Sequence, residues 1–160
     1  MRDTSDGFTL LELIVLIVVA GVLGTLVALT YSGVQAKNHN LSRKSDINII
    51  ESKLEIYYAQ NNSSEYPSLA DLNNPTWRTK NMPALASGSI KDPRWSAAAK
   101  ACTNSSGQPT FASKPTADCY AYQVTSATGM SCNNTTVICV HYTLTALLEG
   151  GGTYVQSSLN

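Results

Sequence analysis

Charge is scarce in this sequence. Only 14% of the 160 side chains are Asp, Glu, Lys or Arg, the eleven basic and eleven acidic groups cancel, and Lys and Arg nowhere gather into a run. Gripping a polyanion requires a basic patch, so charge offers no basis for binding nucleic acid. Histidine is limited to two residues, and the chain has no GxSxG, HExxH or CxxC and no phosphate loop ending in Gly-Lys-Ser/Thr. His39 and His141 fall on a polar stretch and on the polar face of a strand, and both read as solvated. Glu65, Asp71 and Glu149 are scattered. No nucleophile, base or cofactor cradle emerges, so the chain reads as non-enzymatic and without a cofactor. Proline is absent before Pro67, and between Tyr31 and Gln60 the only glycine is Gly33, which leaves a long stretch free of helix breakers. The length allows one domain, or one with an appendage, and excludes a large multidomain enzyme.

Against this polar scarcity stands one apolar run. Leu13 to Leu29 reads LIVLIVVAGVLGTLVAL, seventeen residues without a charge, and Phe8, Leu10 and Leu11 extend it. A helix from Phe8 to Leu29 would be roughly 33 Å long, close to the ~30 Å hydrocarbon core of a bilayer, and the span is set at 8–30. A soluble helix would show periodic polar positions, which this run lacks. The segment therefore reads as membrane-spanning. Glu12 lies within its depth, where an ionised carboxylate costs on the order of 2.5–3.5 kcal/mol, and no Lys or Arg falls within helical reach. The polar leader 1–7, MRDTSDG, precedes the run instead of a small-residue cleavage site following it. Cutting after Gly7 would place a new ammonium on Phe8, one helical turn from Glu12. That cation can serve its own chain or, with an axial offset, the Glu12 of a neighbour.

Gly7, Phe8, Thr9, Leu10, Leu11, Glu12, Leu13 and Ile14 read GFTLLELI, which closely resembles the class III signal of type IV pilins. The resemblance implies cleavage after Gly7 by a prepilin peptidase, N-methylation of Phe8, and a role for Glu12 in docking subunits into a helical filament. The sequence departs from the family pattern in two ways. The leader lacks a basic excess, since Asp3 and Asp6 offset Arg2, while Lys37, Arg43 and Lys44 follow the run. Counting charge alone would put the C-terminal side in the cytoplasm, but the cleavage signal and the cysteines outweigh it. The helix also lacks the proline that many pilins carry there, and Gly21 and Gly24 are its weak points or its sites of close helix contact.

Beyond the run, Ile47, Ile50, Leu54 and Tyr57 fall at spacings of three, four and three, opposite Asn48, Glu51, Ser52 and Glu55. The spacing predicts an amphipathic helix over 31–60 that buries this stripe against the chain's own C-terminal part. Asn61, Asn62, Ser63 and Ser64 end it. YPSLADL follows, with Ser68 placed to cap a short turn, and a YP with spaced Leu is similar to the segment after the long helix in many pilins and pseudopilins. The stretch from Asn73 to Pro115 has no sustained period and reads as a long connection with little regular structure, anchored by Trp77 and Trp95. Tyr120, Tyr122 and Val124 alternate with Ala121 and Gln123. Ile138, Val140, Tyr142 and Leu144 alternate with Cys139, His141, Thr143 and Thr145. Both patterns predict strands, with a third over 153–157 after the Glu149–Gly152 turn.

Cys102, Cys119, Cys132 and Cys139 all follow the apolar run, and an even number in an exported domain reads as disulfides. Of three possible pairings, Cys102 with Cys119 and Cys132 with Cys139 are favoured because each joins sequence neighbours across a loop-to-strand boundary. Metal is disfavoured because the spacing suits no zinc site.

The predicted fold is α+β: a leader over 1–7, an N-terminal helix of about fifty residues, and an extracellular domain over 61–160 whose antiparallel sheet packs on the helix. The resemblance implies a type IV pilus subunit, held in the cytoplasmic membrane and then polymerised, with other pilin subunits, the prepilin peptidase and the membrane assembly machinery as partners. Adhesion, twitching motility or DNA uptake would belong to the filament. A minor pilin, or a pseudopilin of a type II secretion or competence system, fits the same features. A membrane-tethered monomeric binding module is the alternative from another class.

Overall fold

An uninterrupted helix, α1 (Leu10–Gln60), follows from the absence of proline and from the Thr9 hydroxyl, which accepts the Glu12 amide at 3.2 Å in the first turn. The computed structural model describes residues 8–61, 64–83, 85 and 88–159, and omits the side chains at 26–30 and 32. The leader with Gly7, the Asn62–Ser63 pair and the side chains of Leu26 to Leu29 therefore lie outside the described residues. The chain divides into two units, Met1–Lys37 and Asn38–Asn160.

In the second unit, α1 is followed by α2 (Leu69–Asn73), α3 (Pro75–Asn81), a 3-10 turn (Lys100–Cys102), β1 (Ala121–Thr125), β2 (His141–Leu147) and β3 (Thr153–Ser157). The strands form one antiparallel sheet in the order β1-β2-β3, with Gln123 opposite Thr143 and Thr145 opposite Val155. The architecture is α+β, a long helix on a small antiparallel sheet. Ile47, Ile50 and Leu54 are fully buried and join Tyr66, Leu72, Tyr122, Tyr142, Leu144 and Ala146 in one core. Burying each aliphatic side chain is worth roughly 1.5–3 kcal/mol, so the helix stripe and the alternate residues of the strands stabilise each other. The β2–β3 turn needs glycine: Gly150, Gly151 and Gly152 all have positive φ, at 88°, 106° and 86°, which a side chain would resist.

One expectation is refined and one is corrected. First, the little regular structure in the stretch 73–115 includes a short helix: Asn74 accepts the amides of Thr76 and Trp77, Pro75 occupies the first turn, and α3 results. The Asn-Pro pair was the available signal. Ser68 and Asp71 likewise form a reciprocal capping box on α2. Second, the alternation beginning at Ile138 starts too early. β2 begins at His141, Cys139 is fully buried and Ile138 is 54% exposed. The Cys132–Cys139 ring reverses the phase there, and Asn134 ties the ring down by donating to the Tyr66 carbonyl and accepting the Cys139 amide. Accordingly, Ile138→Thr should shift the unfolding free energy by no more than about 0.5 kcal/mol. Urea titration by tryptophan fluorescence checks this, and a core-sized loss would restore the earlier strand start.

Disulfides join Cys102 to Cys119 and Cys132 to Cys139. The first sits in a second small cluster with Ala99 and Ala112, against which Trp95 packs. Trp77 packs on the main core and contacts Tyr57, with ring centroids 5.5 Å apart.

Candidate functional site

The first unit has an unusual surface. Every described side chain from Phe8 to Thr25 is exposed, including Leu10 at 78% and Leu11 at 75%. A helix that is apolar all round finds its burial in lipid or among other helices, because one chain alone leaves it bare. Gly21 and Gly24 have nothing within 4 Å of where a Cβ would stand, so among the described residues nothing requires them to be glycine. Glu12 makes no ion pair among the described residues. Among those residues no helix is long and apolar enough to cross a membrane, and the sequence run continues past Thr25 into side chains outside the description. Phe8 precedes the helix and is 71% exposed.

The second unit holds a polar cluster that sequence reasoning missed. Arg43 lies four residues before Ile47 on the core-facing stripe and is 1% exposed. Its Nε and Nη2 donate to the two oxygens of Asp92 at 2.7 and 3.0 Å, a bidentate pair with both partners buried. Arg43 Nη2 also reaches the Ala117 carbonyl at 3.1 Å, and Nη1 reaches Glu149 at 3.2 Å and Asn40 at 3.2 Å. Glu149 Oε1 is 2.7 Å from His39 Nδ1. Asn40 accepts the Glu149 amide at 2.8 Å and donates to its carbonyl at 2.9 Å. His39 is thus paired, which corrects the reading of it as solvated; His141 is half-buried and engaged as well. Arg43, read from the sequence only as part of a basic flank, is the hub that fastens the Asp92 loop, the Ala117 loop and the β2–β3 turn to α1.

The electrostatics follow from this geometry. The Asp92 hydrogen bond, opposed by burial and helped by the charges of Asp92 and Glu149, holds Arg43 above its already high range. Partial burial would push Glu149 up, but the hydrogen bonds and charges of His39 and Arg43 outweigh it and hold the carboxyl below the ordinary range. Asp46 is raised, chiefly by burial, although it accepts the Tyr120 hydroxyl at 2.7 Å. A second polar knot lies further along α1, where Glu55 accepts both Tyr66, at 2.9 Å, and Tyr142, at 2.8 Å.

A depressed carboxyl stabilises the fold above its unfolded pKa, and that contribution is lost as pH falls through the folded value. The Glu149 contribution should therefore be complete above about pH 4.3 and be lost as pH falls further, through the lower value of the folded state. Glu149→Gln should flatten this limb of the stability profile. Urea midpoints between pH 2 and 7 check it, and an unchanged acid limb would show that Glu149 is not coupled to folding.

None of these residues forms a catalytic constellation, and the described residues include no group of three His, Cys, Asp or Glu able to hold a metal ion. The arrangement is chemically suited to holding segments together and to presenting an apolar helix.

No family model matches the chain, and no solved structure matches it. Among curated proteins, it is 44% identical over 68 residues to a protein of Dickeya chrysanthemi named Type II secretion system core protein G, covering 42% of this chain and 43% of that one. Proteins of the same name are 40% identical over 67 residues in Klebsiella michiganensis, covering 42% of this chain and 46% of that one. In Pectobacterium carotovorum subsp. carotovorum the figures are 45% over 62 residues, covering 39% and 38%. The match thus spans less than half the length of each curated relative. This similarity and a long helix on a small antiparallel sheet together support a type IV pilin-like protein.

Proposed function

We propose that this pilin-like chain is a pseudopilin subunit of a type II secretion apparatus. In this reading the chain is held in the cytoplasmic membrane by 8–30 with its disulfide-bonded unit outside, is cleaved after Gly7, and polymerises with other pilin-like subunits. The single observation that supports it best is the recurring identity of 40–45% to proteins named for type II secretion. The bare apolar helix of the first unit agrees with polymerisation, since it needs neighbours for burial. Between the two filament readings left open by the sequence, this similarity favours the secretion pseudopilin over the pilus subunit.

Deletion of the gene for this chain tests the proposal. Secreted enzymes should then accumulate inside the outer membrane, surface pili should persist, and re-expression should restore secretion. Loss of pili with secretion intact would favour the pilus subunit instead. If neither changes while a ligand-binding function is lost, the tethered binding module is correct.

A further inference from the structure

Strand β3 ends the sheet on one side. The Leu148 amide donates to the Gly152 carbonyl at 3.0 Å and the Ser158 amide to the Tyr142 carbonyl at 3.1 Å, which fixes the phase of the ladder: Gly152, Tyr154, Gln156 and Ser158 turn their backbone groups towards β2. Because these groups alternate along a strand, the amides and carbonyls of Thr153, Val155 and Ser157 point away from β2. None of them has a hydrogen-bond partner among the described residues. Edge strands are commonly blunted by a charge, a proline or a bulge. Thr153 to Ser157 reads TYVQS, without charge or proline, and pairs with β2 without interruption. Val155, at its centre, is 45% exposed.

The flank of α1 beside this edge carries charge in a fixed order. The Lys44 ammonium lies 5.6 Å from the centre of the Tyr154 ring. Asn48 accepts the Tyr154 hydroxyl at 2.8 Å and the Gln156 side-chain amide at 3.2 Å, and Glu51 and Glu55 line a groove with Leu159, just past the strand. Helix and strand therefore run in the same direction here, with the cation beside the start of β3 and the carboxylates beside its end. Lys44, Asn48, Glu51 and Glu55 are spaced by four, three and four, which makes them one stripe of the helix. Neither Lys44 nor Glu51 makes an ion pair among the described residues. Burial and the nearby Glu55 charge hold the Glu51 carboxyl above its ordinary range, as expected of a carboxylate short of a cation.

We propose that the open edge of β3 pairs with the same edge of a second copy of this chain, antiparallel and about a two-fold axis at Val155, so that two sheets join into one. Val155 then faces Val155 of the second copy and Thr153 faces its Ser157, and each of these pairs exchanges two backbone hydrogen bonds. A strand without charge can face itself, where like charges would repel. The axis also reverses the order of the flanking stripe, which brings Lys44 of each copy to the side on which the other carries Glu51. Any uncharged strand could make the backbone bonds, but only a second copy also answers that order of charges. The two α1 segments run antiparallel in this pair, so it joins chains of opposite orientation, as in two filaments lying side by side, and not neighbours standing in one membrane. The inference does not rest on the secretion reading, because the edge is the same whatever the first unit assembles with.

The test is cross-linking of the full chain in detergent micelles. Residues facing each other in a bonded antiparallel pair have Cα atoms about 5.5 Å apart, within disulfide range, and the four native cysteines are already paired. Under mild oxidation Val155→Cys should therefore give a dimer, linked at that position by peptide mapping, at least tenfold faster than Gln123→Cys, an exposed position on the strand at the other side of the sheet. Hydrogen exchange at the Val155 amide of the unmodified chain should slow at least tenfold as the chain is concentrated. In the Val155→Cys background, Lys44→Glu and Glu51→Lys should each cut the rate at least fivefold, and mixing the two variants should restore it as a mixed dimer, which no effect within one chain can do. Equal rates at positions 155 and 123, an exchange rate at Val155 that ignores concentration, single charge variants that cross-link like the parent, or variants that fail both alone and mixed would each overturn the proposal.

Discussion

Arg43→Ala is expected to destabilise the second unit by roughly 3–5 kcal/mol, the range for breaking a buried ion pair by removing one partner. The cost arises mainly from what remains. Asp92, 2% exposed, would keep its charge without the bidentate guanidinium that holds both oxygens. The Ala117 carbonyl and Glu149 would each lose a donor. Asp92→Ala should cost a similar amount by stranding the guanidinium, and the double variant should cost clearly less than the sum, because the two changes delete one shared interaction. Arg43→Lys should recover only part of the loss, since a single ammonium cannot reproduce the fork to Asp92 while also reaching Ala117 and Glu149. Urea unfolding of the four proteins measures these values. A midpoint for Arg43→Ala that moves no more than an ordinary surface substitution, about 0.5 kcal/mol, would remove the cluster as the fastening point of the three loops.

Glu12→Ala is expected to abolish polymerisation while leaving the unfolding midpoint of the second unit unchanged. The separation follows from position, because Glu12 belongs to the first unit and Arg43 to the second. At membrane depth an ionised Glu12 carries a penalty of about 2.5–3.5 kcal/mol, and the described residues offer it no cation. In the proposed reading, cleavage after Gly7 would create on Phe8 the ammonium that serves as this partner, and a neighbouring chain would supply it only once its own leader is gone. On that proposal, removing the carboxylate would delete the directional element of packing and leave only the non-directional apolar surface. Glu12→Gln should assemble weakly, since it keeps the hydrogen-bonding shape without the charge. Sedimentation and electron microscopy of overexpressed filaments, with mass spectrometry of the mature N-terminus, provide the readout. Normal fibres from Glu12→Ala, or fibres built from chains that retain residues 1–7, would contradict the pairing.

The α+β class and the long helix were legible in the sequence because periodicity reports burial directly: Ile47, Ile50 and Leu54 mark one face, and Tyr142 and Leu144 mark another. The apolar run, GFTLLELI and the even number of cysteines were equally local signals. Arg43 was not legible. By residue type it belongs on the surface, and only the approach of Asp92, forty-nine residues away, and Glu149, 106 residues away, makes its burial tolerable. Composition and spacing by themselves therefore determined the long helix, the three-stranded sheet and the apolar run, since those depend on the chain's own repeat. Tertiary structure alone decided which charges are buried, because that depends on what distant segments bring to the same point in space.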